Sequence, residues 1–217
     1  MALNEAHFNM IEQQIRTWDV LDQKVLDLLG DVDRGDFVPE AYRDLAYADI
    51  AVPLDHGQVM MHPKIEARML QALDLHPTDV TLEVGTGSAY VTGLLAHATR
   101  HVYSVDIFPE FSRQADERLA IYDIENVTLE TGDGANGWGQ HGPYDVIAIT
   151  GSLPMLPEAF ARSLNRGGRL FAIVGDAPVM EAVLIRRIGQ DEWSREVLFE
   201  TELQALINAP QPTRFVF

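Results

Sequence analysis

The spacing of apolar positions changes once along the chain, near residue 78, from helical to alternating strand and helix. Before that point Ala6, Met10, Ile11 and Ile15 recur at the spacing of one helix face, which predicts a helix over 4–16. Val20, Leu21, Val25, Leu28 and Leu29 predict a second helix over about 20–29 that stops near Gly30. A loop-rich stretch follows, from Phe37-Val38-Pro39 through Pro53 to Pro63. Pro63 opens a third helix, at about 64–73, where its missing N–H costs little.

Beyond residue 78 the pattern predicts strands at 80–84, 101–106, 127–130, 144–150 and 169–174. Helices at 90–98, 109–122 and 155–164 separate them, and 183–188 and 198–207 read as a closing pair of strands. Strands alternating with helices imply an α/β fold whose mostly parallel sheet is covered on both faces. The expected architecture is a doubly wound, Rossmann-like sheet with an N-terminal helical flank. With no linker or repeat in sight, 1–217 is expected to form one domain: 1–75 as flank and acceptor-side loop, 76–217 as cofactor-binding core.

Charge narrows the partners. The chain has 217 residues, with 33 acidic and 16 basic side chains and a formal net charge of −17. That field repels phosphate backbones, and no basic cluster offsets it, so nucleic acid is not an expected partner. Cysteine is absent, which excludes disulfides and thiolate metal sites, and no His and carboxylate group has metal spacing. No stretch approaches the roughly 18 apolar residues of a membrane span, and no basic region followed by an apolar run opens the sequence, so a cytoplasmic location is expected.

The chemistry concentrates in Leu82-Glu83-Val84-Gly85-Thr86-Gly87-Ser88-Ala89-Tyr90, at the first strand-to-helix turn, where an open α/β sheet binds its ligand. Gly85 and Gly87 permit close approach of a ligand to the main chain. Asp106 ends the second strand, where an acid accepts hydrogen bonds from ribose hydroxyls, and Asp133 after the third strand is placed for an adenine amino group. Taken singly, Asp106 also suits a helix cap and Asp133 a turn. Thr86, Ser88, Ile107, Gly134 and Thr150 complete the expected cofactor-binding set. A dinucleotide fingerprint wants a third glycine where this chain has Tyr90, and Glu83 repels pyrophosphate yet suits a sulfonium and an ammonium group. The cofactor this points to is S-adenosylmethionine.

Nearly end to end, the sequence resembles the protein-L-isoaspartate O-methyltransferase family. The resemblance is carried by Asp36-Phe37-Val38-Pro39, Ala46-Tyr47-Ala48-Asp49, Pro53 through Gly57-Gln58, the 82–90 motif, Asn126-Val127 and Gly132-Asp133-Gly134-Ala135-Asn136-Gly137-Trp138. Pro143-Tyr144-Asp145, Gly167-Gly168-Arg169-Leu170 and Arg214-Phe215-Val216 extend it. It implies methylation of the free α-carboxylate of isoaspartyl residues in peptides or proteins, as a repair reaction, and a variant order among the last strands.

One departure bears on the acceptor. Where the family reads Thr-Ile-Ser after Gly-Gln, this chain reads Val59-Met60-Met61 after Gly57-Gln58, so both hydroxyls are gone. Gln58, Val59 and Met61, at the position of the family serine, are the residues the resemblance places beside the reacting carboxylate. A thioether donates no hydrogen bond, so isoaspartyl transfer needs other donors, with backbone N–H groups around 58–61, His62 and Thr150 as candidates. Alternatives are a methyltransferase redirected to another acceptor and a non-catalytic cofactor-binding homologue. Trp138 either covers the adenine or packs in its loop, and Thr150-Gly151-Ser152-Leu153-Pro154 lacks the Asn/Asp-Pro-Pro-aromatic signature of amide and adenine N-methyltransferases.

Overall fold

The computed structural model describes residues 5–212. Asn4 of the first expected helix and the Arg214-Phe215-Val216 segment lie outside the described residues. Helix α1 (Glu5–Asn9) continues as a π-helical stretch through Met10–Ile15, and its apolar side packs into the core. Helix α2 (Gln23–Asp31) starts later than periodicity suggests, because the Asp22 carboxylate caps the Lys24 amide and leaves Leu21 outside, exposed. The loop that follows carries a two-residue ladder, Val52 to Met60 and Pro53 to Val59, and then helix α3 (Pro63–Leu73) begins at its proline.

The sheet strands are β1 (Val80–Val84), β2 (His101–Asp106), β3 (Val127–Thr131), β4 (Tyr144–Leu153), β5 (Leu164–Asp176), β6 (Val179–Arg187) and β7 (Trp193–Thr201). Helices α4 (Tyr90–Ala98), α5 (Pro109–Leu119) and α6 (Glu158–Arg162) connect them. The order across the seven-stranded sheet is β3-β2-β1-β4-β5-β6-β7. All neighbours are parallel except the two pairs made by β6. The direction of winding reverses between β1 and β4, which opens a crevice at their carboxyl ends. This is the doubly wound Rossmann-like sheet the sequence predicts.

Both faces of the central strands are buried, and the alternation along a strand sorts its residues between them. Val146, Ala148, Phe171 and Ile173 join the core shared with the N-terminal helices, while Ile147, Ile149, Leu170 and Ala172 join Phe160 of α6 on the other side. Several expected boundaries move, the strands expected at 169–174 and 183–188 lengthening to Leu164–Asp176 and Val179–Arg187 among them. The 155–164 helix shrinks to α6, since Pro157 fixes its start and Leu164 already pairs with Tyr144. Strand β4 runs on to Leu153 through a register shift after Ala148. The last strand is Trp193–Thr201 and not 198–207: β6 and β7 pair as a hairpin from Arg187–Trp193 to Met180–Thr201. The apolar residues Leu203, Leu206 and Ile207 serve instead to line the crevice.

Candidate active site

The crevice beyond β1, β2 and β4 gathers most of the residues singled out in the sequence. Gly85, Thr86, Gly87 and Ser88 form its floor, and Asp106, Ile107, Asp133 and Gly134 border one end. Gln58, Val59, Met60 and Met61 border the other side, with Thr150 between.

The glycine turn is tight. Gly85 has φ +102°, and a Cβ there would overlap Thr150 Oγ1. That hydroxyl serves the carbonyls of Val84 and Gly85, at 2.9 and 2.6 Å, so its single proton is committed to the turn. Thr150 therefore lines the crevice but has no donor left for an acceptor. His62 does not line the crevice, and its Nδ1 faces Asp49, 3.0 Å from the carbonyl and 3.2 Å from Oδ1. Neither of these candidate replacements for the missing hydroxyls thus offers a donor in the crevice.

Asp106 is buried at the end of β2. Its Oδ2 accepts from the Gly87 amide at 2.9 Å and its Oδ1 from the Phe108 amide at 3.0 Å, leaving a further lone pair on each oxygen. Burial raises its carboxyl above the ordinary range, opposed by those amides. Asp133 accepts from the Ala135 amide at 3.1 Å and from Asn208 Nδ2 at 2.9 Å.

Glu83 is a correction. Expected to face the ligand, it is absent from the crevice lining, because side chains alternate along β1 and Val84 takes the crevice side. Glu83 points to the opposite face, fully buried, where Oε2 accepts from Thr92 of α4 at 2.5 Å and from Ser104 of β2 at 2.6 Å. Ser104 in turn shares a 2.6 Å hydrogen bond with Thr86 of the glycine turn. Glu83 thus acts on the crevice only through its supports. Trp138 packs in its loop: its indole donates to Glu130 and its ring covers Gly132 from outside the crevice.

Glu66 was not anticipated. It lines the crevice although it is only 2% exposed, and its Oε2 accepts from Arg34 Nε at 3.1 Å. Burial raises its carboxyl, opposed by Arg34. A signal existed in the sequence: Glu66 falls on the apolar stripe of α3 with Met69, Leu70 and Leu73, where a carboxylate needs a partner.

The lining is acidic, although the buried Arg34 ion pair neutralises the share of Glu66. Among the described residues the lining holds the carboxylates of Glu66, Asp106 and Asp133 and no lysine, arginine or histidine. Such a donor set fits a cationic sulfonium nucleoside and rejects a pyrophosphate. Among the described residues no group of His, Cys, Asp and Glu is placed to hold a metal, and no helix is long and apolar enough to cross a membrane.

A switch-point crevice with a glycine turn and a carboxylate on the adjoining strand defines a nucleoside-binding α/β domain. Residues 5–206 match the family model described as Protein-L-isoaspartate(D-aspartate) O-methyltransferase. Protein-L-isoaspartate O-methyltransferase 2 of Pelobacter propionicus is 37% identical over 201 residues, covering 92% of this chain and 89% of the relative. Protein-L-isoaspartate O-methyltransferase of Magnetococcus marinus is 40% identical over 177 residues, 82% of this chain and 78% of the relative. The fold matches a Plasmodium falciparum protein assigned to the same enzymes and solved with S-adenosyl-L-homocysteine, at a TM-score of 0.79 and 20% identity, covering 94% of this chain and 99% of that one. The chain belongs to the protein-L-isoaspartate O-methyltransferase family.

Proposed function

We propose that this protein is an S-adenosylmethionine-dependent carboxyl O-methyltransferase acting on isoaspartyl residues of peptides or proteins. The observation that carries it is the crevice itself: carboxylates and no cation around a glycine turn, in a chain matched to the family over nearly its whole length. Asp133 would receive the adenine amino group, Asp106 the ribose hydroxyls, and the Gly85–Gly87 turn the chain beyond them.

The cofactor supplies an electrophilic methyl on a sulfonium. A carboxylate acceptor is already ionised near neutral pH, so no general base is needed. In the transfer, the acceptor oxygen gains the C–O bond and the S–C electron pair stays on sulfur, leaving a methyl ester and S-adenosylhomocysteine. What the protein contributes is alignment and exclusion of water. Gln58, Val59 and Met61 form the acceptor side, and Gln204 Nε2 donates to the Gly57 carbonyl at 2.9 Å, tying the acceptor loop to the segment after β7.

Incubation with methyl-labelled cofactor and an isoaspartyl peptide should yield a base-labile methyl ester; none above the no-enzyme blank overturns the assignment. A second reading, transfer to a different and more apolar acceptor, is favoured by one feature. Val59 and Met61 line the acceptor side where hydroxyls are expected, and Thr150 and His62 are committed elsewhere.

A further inference from the structure

With Glu83 turned away, Glu66 is, among the described residues, the one carboxylate lining the crevice besides Asp106 and Asp133. We infer that Glu66 is the residue that receives the α-ammonium group of the cofactor's methionyl end, which rests on the cofactor assignment above and adds a binding residue to it.

Three observations place it. First, the order of the strands fixes direction: Asp133 follows β3, Asp106 and Phe108 follow β2, and the glycine turn, which runs into Tyr90 at the start of α4, follows β1, in the spatial order β3-β2-β1. Adenine at Asp133 and ribose at Asp106 therefore leave the amino-acid end at the α4 side. Second, Glu66 lies on that side. Arg34, its partner, has its guanidinium carbon 5.7 Å from the ring of Tyr90, the first residue of α4, and the Tyr90 hydroxyl feels the Glu66 charge. Third, Glu66 has an acceptor to spare. Only Oε2 is bonded, to Arg34 Nε, and Oε1 accepts from no donor among the described residues.

Arg34 does not compete for the ligand. Its Nη1 donates to the Ala46 carbonyl at 2.7 Å and its Nη2 to the Met61 carbonyl at 2.8 Å, so each nitrogen of the fork is used inside the protein. The pair is neutral overall, so the recognition rests on the directed, charge-assisted hydrogen bond that Oε1 offers and not on net charge.

The test is titration calorimetry with two ligands. S-adenosylhomocysteine carries the amino-acid end, whereas 5′-methylthioadenosine has the same nucleoside and sulfur without it. Glu66→Gln keeps an oxygen for Arg34 and should lower S-adenosylhomocysteine affinity about tenfold or more, the loss of one hydrogen bond to a charged group, while 5′-methylthioadenosine binds as before. Glu66→Asp, which keeps the charge one methylene further back, should fall between, and it carries the test if the glutamine variant does not fold. Equal losses for both ligands would show a merely structural role and overturn the inference. Unchanged S-adenosylhomocysteine affinity would overturn it too, and with a raised KM for the acceptor would move Glu66 to the acceptor side. If the unaltered protein binds neither ligand, the cofactor assignment fails together with it.

Discussion

The Gly87 amide donates to Asp106 Oδ2 at 2.9 Å, so the glycine turn and the end of β2 are held as one piece. Asp106 thus shapes the turn and lines the crevice at once. Asp106→Ala removes both roles and is expected to weaken S-adenosylhomocysteine binding by roughly a hundredfold, two charge-assisted bonds at the lower end of their range. Calorimetry checks this, and an affinity within a factor of three of the unaltered protein would contradict it.

Gly85 meets two constraints together, φ +102° and the Thr150 hydroxyl in the space a Cβ would take. Gly85→Ala should cost several kcal/mol, of which Thr150→Ala in the same chain restores only the steric share. Thermal unfolding of the two single variants and the double variant measures that coupling. Simple additivity would mean that the hydroxyl and the glycine do not share space.

Burial pushes the Glu83 carboxyl up to about 8, against hydrogen bonds from Ser104 and Thr92. Between the ordinary carboxylate range and that value the folded protein keeps a proton that the unfolded chain releases. The stability Glu83 contributes is therefore fully present below its unfolded pKa and is lost as pH rises to about 8. Glu66 and Asp106 are shifted the same way, so the comparison with Glu83→Gln isolates the one residue. From about pH 5 to about pH 8.5 the melting temperature of the unaltered protein should fall more steeply than that of the variant. Parallel curves would show that Glu83 is ionised when folded.

Val59→Thr with Met61→Ser should raise kcat/KM toward an isoaspartyl peptide by about tenfold or more, by restoring at least one hydrogen bond to the acceptor carboxylate. Met61 is 3% exposed, so the exchange also leaves a small cavity and a stability loss of about 1–3 kcal/mol. Steady-state kinetics alongside thermal unfolding separate the effects. No gain in a folded double variant would point to an acceptor other than a carboxylate.

The parallel core was legible because its strands are buried on both faces and read as apolar runs: β1 and β2 and helix α4 fall where the pattern puts them. The crevice was legible for the same reason, since glycines and acids at strand ends stand out against those runs. What escaped was direction. Glu83 is adjacent to the glycines in sequence, but a period of two turns it to the far face, and no composition rule says which neighbour of Val84 faces in. Glu66 escaped because a helix with one acid on its apolar side still reads as amphipathic. Its partner, Arg34, lies 32 residues away.

Arg34 grips Met61 by its main-chain carbonyl and never by its side chain. The loop that brings residue 61 to the crevice is therefore anchored independently of what that residue is. A hydroxyl or a thioether can therefore stand at that position without disturbing the support it shares with Glu66.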